Sequence, residues 1–223
     1  MSTALAPLAA GQRMGRAEFH ERYKDAPPGV KFELIGGIVH MASPLKIAHG
    51  RRHGRAMAWL GVYAMHTPGV EEFDNASTAL GDESEVQPDA ALRVAPGRGG
   101  RTADRDGIIA GCPELVVEVA DSSRRTDLGP KLREYERAGA LEYVVLLVEP
   151  FDVAWHSRRD GRLDRVAPDA DGLYRSSAFP GLWLDVAALA DGDGPALLAA
   201  LGRGLASPEH AAFVADLAAR GHA

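Results

Sequence analysis

A carboxylate among apolar neighbours constrains this chain more than any other feature. Glu118 stands inside Leu115-Val116-Val117-Glu118-Val119, a run that is otherwise wholly apolar. Runs of that kind mark central strands covered on both faces. A second run, Tyr143-Val144-Val145-Leu146-Leu147-Val148, has the same character. Between them the sequence predicts a helix from Leu128 to Ala138, closed by Gly139. Strand, helix, strand in that order predicts a right-handed parallel crossover, and so an α/β fold.

A buried carboxylate without a partner is costly, or takes up a proton. A metal ion, or a cation delivered by a neighbouring element, would remove the conflict at Glu118; otherwise the residue sits at a wet strand end. Asp89 is a second candidate. It follows Pro88 in a strand expected over Val86–Val94. Proline donates no ladder hydrogen bond and marks edges and bulges, where a bend re-aims the next side chain. Lys131 is the third, expected in the first turn of the helix after Glu118, with Asp127 as its cap and Pro130 tolerated near the start. From there it can reach back toward both acids. Two acids and a lysine suit phosphodiester hydrolysis: carboxylates and water are the ligands Mg²⁺ prefers, and lysine offsets charge on the phosphate.

Elsewhere a short helix is expected around Gly15–Tyr23, stopping at Pro27-Pro28-Gly29. Phe32–Ile35, Gly36-Gly37 and Ile38–Met41 read as a hairpin with a two-glycine turn. A helix follows from Lys46 to about Met65, then short strands near Val70–Phe73 and Ser77–Leu80. The Gly-, Arg- and Asp-rich segment Pro96–Gly107 reads as a surface loop. A strand pair is expected at Val153–His156 and Leu163–Val166, and two short helices in the alanine-rich tail after Val186. The organisation expected is a lead-in (1–30), one main domain (31–185) and the tail (186–223).

The net charge of −6 in 223 residues argues against coating nucleic acid by bulk electrostatics, though arginine clusters around Arg51, Arg98 and Arg124 leave room for a local patch. A single cysteine, Cys112, excludes an internal disulfide framework and a cysteine-based zinc site. No stretch approaches the roughly 18 apolar residues of a membrane span. With no secretory signal pattern at Met1–Arg13, a cytoplasmic protein is expected.

Phe32-Glu33-Leu34-Ile35-Gly36-Gly37, Ser43-Pro44 with His49, and Val86-Gln87-Pro88-Asp89 resemble the Uma-type family of restriction-endonuclease-like proteins. So do Pro113 to Val119, Ser122 to Asp127, Lys131, Tyr135, and Ala138-Gly139 ahead of Glu142-Tyr143. The likeness spans about Lys31 to Asp185. It implies a restriction-endonuclease-like fold, a central mixed β-sheet flanked by helices, here with an N-terminal hairpin and a helical C-terminal tail. It also implies a PD-(D/E)xK-type site in which Asp89 and Glu118 hold Mg²⁺ or Mn²⁺ and Lys131 is the catalytic lysine. Glu33 and His49 would sit at the edge of the same pocket. The chain departs from the nuclease pattern at Ala120, where lysine is usual, and at Asp121, which adds a negative charge.

Other readings stay open at this point. His49 and His53 share a helix face and could bind a metal or simply be polar surface. Glu33 alternates with Phe32 and Leu34, so it could be the outer face of a hairpin. Trp59, Trp155 and Trp183 read as packing residues. There is no phosphate-binding glycine loop and no Gly-x-Ser-x-Gly elbow. The expected function is metal-dependent endonuclease action on DNA, in a homodimer by analogy. The alternatives are a non-catalytic binding or regulatory module that keeps the fold, favoured by the acidic charge, Ala120 and Asp121, and a hydrolase using the same acids on another substrate.

Overall fold

The structure, a computed structural model, describes residues 6–221; the start of the lead-in (1–5) and the end of the tail (222–223) lie outside the described residues. After helix α1 (Arg16–Tyr23) comes the hairpin of β1 (Phe32–Ile35) and β2 (Ile38–Met41). Its turn glycines have φ of 56° at Gly36 and 76° at Gly37, the left-handed pair that a two-residue turn requires. Helix α2 (Ile47–Met65) buries Ala56, Trp59, Leu60, Tyr63 and Ala64 along one face. The strands β3 (Val70–Asp74), β4 (Thr78–Ala79), β5 (Glu85–Val86) and β6 (Ala90–Val94) follow.

The strand expected over Val86–Val94 is therefore two strands, and they belong to different sheets. Pro88 lies at the break. Without an N–H it cannot carry the ladder across, and Asp89 is released from strand pairing just before β6. The expected loop at Pro96–Gly107 also needs correction. It holds a 3₁₀ turn at Pro96–Arg98 and β7 (Ala103–Arg105), which pairs antiparallel with β8 (Ile108–Ala110).

Strand β9 (Leu115–Ala120) carries Glu118. The helical run after it starts earlier than expected: α3 (Arg124–Thr126), a π-helical turn at Asp127–Lys131, then α4 (Leu132–Ala138). Asp127 is thus a helical residue rather than the cap, and Pro130 lies inside the run. Pro130 lacks the N–H that an α-helical turn would use, and the wider π turn accommodates it. Gly139, at φ 92°, ends α4 in the left-handed conformation expected of it. The chain continues through β10 (Glu142–Leu147), β11 (Asp152–Arg159), β12 (Arg162–Arg165), β13 (Leu173–Arg175) and β14 (Trp183–Asp185). The tail forms three helices rather than two: α5 (Val186–Asp191), α6 (Gly194–Leu205) and α7 (Pro208–Arg220).

A 6-stranded mixed sheet in the order β12-β11-β10-β9-β6-β3 forms the centre. Strands β9 and β10 are parallel, as the strand, helix, strand order requires, and every residue of both is buried. A second 6-stranded sheet, β2-β1-β5-β4-β8-β7, carries the hairpin. One face of the central sheet, with Val117, Val119, Val144 and Leu146, packs on α2 and on Leu189, Leu197, Leu201 and Leu217 of the tail helices. The other face, with Val116, Ala120, Val145 and Leu147, packs on Tyr135 and its neighbours. Three of the clustered arginines anchor the tail: Arg52 donates to Leu189 O, Arg55 to Gly192 O at 3.4 Å and Arg98 to Leu217 O at 3.2 Å. Trp59 and Trp155 are core residues that meet edge to face.

Candidate active site

Strand alternation aims Glu118. Its neighbours Val117 and Val119 face α2, so Glu118 shares the opposite face with Val116 and Ala120, under the helical run that bears Lys131 and Tyr135. In the β6–β9 register Ala90 opposes Val117 as the last pair of the ladder, and Asp89 stands one residue beyond it, outside the strand. Asp89 Oδ2 then accepts the Val119 N–H at 2.7 Å, which holds the released residue in place. In the hairpin, Phe32 and Leu34 enter a separate small core, so Glu33 faces the other way, paired with His40. His49 arrives from the first turn of α2 and Lys131 from the π-helical turn.

These residues converge. Lys131 Nζ lies 2.9 Å from Glu118 Oε1 and 2.8 Å from Glu33 Oε1, with Lys131 and Glu118 almost completely buried. Glu33 Oε1 also accepts the Gln87 backbone N–H at 2.7 Å. The Tyr135 hydroxyl donates to Glu118 Oε1 at 3.2 Å, and His49 Nε2 lies 3.4 Å from Asp89 Oδ2. All five sequence candidates line one cleft of about 690 Å³, together with Asp127, Asp121, Lys46, His40 and Gln87. His53 does not join them as a metal partner; its Nε2 meets the Asp89 carbonyl at 2.8 Å and the Asp74 carboxylate at 3.2 Å.

The charges are unequal by design of position. Burial pushes the Glu118 carboxyl well above the usual carboxylate range, with Lys131 opposing. Burial also works against the Lys131 ammonium, but Glu118, Glu33 and Asp127 outweigh it and hold the lysine well above its ordinary value. Lys131 is a cation at any physiological pH. At Asp89 burial is again the largest influence, yet the His49 contact, the Val119 N–H and Lys131 together bring the carboxyl below its ordinary value. Burial raises Asp127, partly offset by Lys131 and Ser123. The charge that Asp121 adds is answered by Lys46, whose Nζ lies 2.8 Å away.

Asp89 Oδ1 and Glu118 Oε2 accept no hydrogen bond from the described residues, and His49 Nδ1 is buried with no partner. Those two carboxylate oxygens are the atoms here able to hold a hard cation, with water completing its shell. Among the described residues no group of three or more His, Cys, Asp or Glu side chains forms a metal cage by itself. The local sequence assigns no role in the site to Tyr135 or Gln87 and marks Asp127 as a cap. A tyrosine one turn beyond Lys131 was the signal for the first, since residues at that spacing share a helix face.

Residues 16–187 match the model of the Uma2 family, described as "Putative restriction endonuclease". The chain belongs to the Uma2 family. Its fold is similar to a crystal structure described as a putative nuclease of the DUF820 group from Anabaena variabilis, with a TM-score of 0.60 and 12% identity over 77% of this chain and 96% of that one. That likeness shows a shared fold. No curated protein matches the chain. The Uma2 match ends at residue 187, so α6 and α7 lie beyond it. Among the described residues no helix is long and apolar enough to cross a membrane.

Proposed function

We propose that this Uma2-family chain is a Mg²⁺- or Mn²⁺-dependent endonuclease that hydrolyses phosphodiester bonds in DNA. The observation that carries the reading is the Lys131 ammonium, buried between Glu118 and Glu33 in a cleft that also presents Asp89. Ala120 leaves the usual lysine position empty, and the helical run supplies the cation instead.

The donor set fits a divalent ion held by Asp89 and Glu118. Such an ion, when bound, supplies an acidified water and polarises the phosphoryl oxygen. The remaining work falls to the chain. Lys131 keeps its charge, orients the attacking water and offsets charge growing on the phosphate. Glu33, with both oxygens on Lys131 and one on Gln87 N–H, fixes the lysine rather than competing for the ion. Tyr135 holds one oxygen of Glu118 and leaves the other facing the cleft. His49 Nε2, 3.4 Å from Asp89 Oδ2, is placed to relay a proton at that carboxylate, while its Nδ1 is buried away from substrate. A cytoplasmic homodimer belongs to the same proposal, by analogy with nucleases of this architecture.

The binding-module alternative loses ground, because Asp121 is neutralised by Lys46 and Ala120 is compensated by Lys131. The test is cleavage of plasmid, linear and single-stranded DNA, and RNA, with Mg²⁺, Mn²⁺ or chelator, beside Asp89→Asn and Lys131→Ala. Metal-dependent cutting of DNA, lost in both variants, is the expected result. Silent wild type together with no calorimetric metal uptake would return the chain to the binding-module reading.

A further inference from the structure

The rim of the cleft is unusual for a soluble surface. Every residue from 41 to 48 is exposed. Within that run Met41 is 58%, Leu45 65% and Ile47 76% exposed, and Met41 and Leu45 line the cleft itself. The Lys46–Asp121 ion pair ties this lip to the opposite wall, where Arg124 and Arg125 begin the helical run. Arg124, Arg125 and Arg51, one turn of α2 beyond Ile47, are exposed and have no carboxylate partner among the described residues.

An apolar lip flanked by unpaired arginines has a specific complement. A second copy of the chain would bring these arginines toward one another, and like charges would oppose the contact. A polyanion with an apolar interior satisfies both parts. Single-stranded nucleic acid is the poorer fit, because it is gripped by aromatic rings on which bases stack. No Phe, Tyr or Trp among the described residues lines this cleft. Aliphatic wedges such as Met, Leu, Ile and Pro instead enter a base step of a duplex, unstack it and kink it.

We propose that the lip at Met41–Ile47 is a wedge that opens a base step of duplex DNA at the cleft, with Arg51, Arg124 and Arg125 on the flanking phosphates, so that the chain selects duplexes already weakened at that step. The inference rests on the DNA reading of the site. A mismatch or a small bulge removes most of the unstacking cost, so such duplexes bind more tightly than matched ones of the same length.

The test is fluorescence anisotropy of the full chain with matched, mismatched, bulged and single-stranded oligonucleotides in chelator, where no cutting occurs. A 2-aminopurine at the mismatch-adjacent step reports unstacking, and the lip variant is Met41→Ser with Leu45→Ser. Both side chains are exposed, so the variant keeps the wild-type melting curve. The expected result is about tenfold tighter binding of the mismatched duplex, falling to roughly twofold in the lip variant, with a 2-aminopurine signal only for wild type. Arg124→Ala with Arg125→Ala should weaken all duplexes alike and flatten the salt dependence. Equal affinity for matched and mismatched duplexes, a preference that survives in the lip variant, tighter binding of the single strand, or lip-dependent dimers without DNA binding would each overturn the wedge. Failure of the nuclease reading is separate: mismatched duplex would be bound as expected yet left uncut when Mg²⁺ or Mn²⁺ is added.

Discussion

The Lys131 ammonium lies 2.9 Å from Glu118 Oε1, and both side chains are buried almost completely, one delivered by a π-helical turn and the other by a central strand. Removing one partner of such a pair leaves the other charge uncompensated, at a cost of about 3 kcal/mol or more.

Lys131→Met should therefore abolish cleavage and also alter the pH dependence of stability. Without the ammonium, burial keeps Glu118 protonated in the folded chain. A carboxyl raised above its unfolded value stabilises the fold at low pH, and that contribution is lost as pH rises through the folded value. Glu118 is raised in wild type too, with Lys131 opposing, so both proteins lose this contribution as pH climbs above the ordinary carboxylate value near about 4.3. The variant's deficit should widen only where the wild-type carboxyl ionises beside Lys131. Thermal melts of both proteins from mildly acidic to alkaline pH check it; an equal deficit throughout would count against an ionised pair.

Asp89 runs the other way. Its carboxyl is held below the ordinary value, so its contribution is present at neutral pH and lost as pH falls below about 4. Asp89→Asn should reduce acid sensitivity in melts between about pH 5 and pH 3. On the proposed role of Asp89 as a direct metal ligand, the same variant should lower metal-dependent cleavage more than about a hundredfold.

Tyr135→Phe keeps the ring, tilted against Tyr143 with centroids 5.0 Å apart, and removes only the hydroxyl that meets Glu118. Stability should fall by about 1 kcal/mol. Cleavage should fall roughly tenfold, with a higher Mg²⁺ concentration needed for half-maximal rate. A loss of rate with unchanged metal dependence would deny Tyr135 its part in orienting Glu118.

The tail is part of the core energetically. Leu201 is fully buried in the cluster that contains Trp59 and Val117. Leu201→Ala should cost about 3 kcal/mol in chemical denaturation, as for a leucine in any packed interior. Arg98→Ala, which removes donors to Leu217 O and Ala218 O, should loosen α7 and raise amide exchange there.

Several features were legible because they are local. The apolar runs around Glu118 and Tyr143 specify buried strands, the glycine pair specifies the hairpin turn, and Gly139 ends its helix. The misreadings share a cause. Locally Pro88 reads as a bend within one strand, and only the pairing of β5 and β6 with different neighbours shows that the chain changes sheets there. The segment after Pro96 has no periodicity of its own, so β7 exists only because β8 folds back on it. Asp127 has the composition of a cap, but Pro130 shifts the turn and places it inside the run.

By itself the sequence determined that a carboxylate would stand in a covered strand and that a lysine-bearing helix would leave that strand. Strand alternation and helix termination are written in neighbouring residues. One pocket for Glu33, His49, Asp89, Glu118 and Lys131 was implied only by the family resemblance; tertiary structure decided which of their atoms meet, that Lys46 answers Asp121, and that the alanine-rich tail closes the core. Those outcomes depend on register and packing between distant elements, where the cost of burying unpaired charge selects the arrangement that brings partners together.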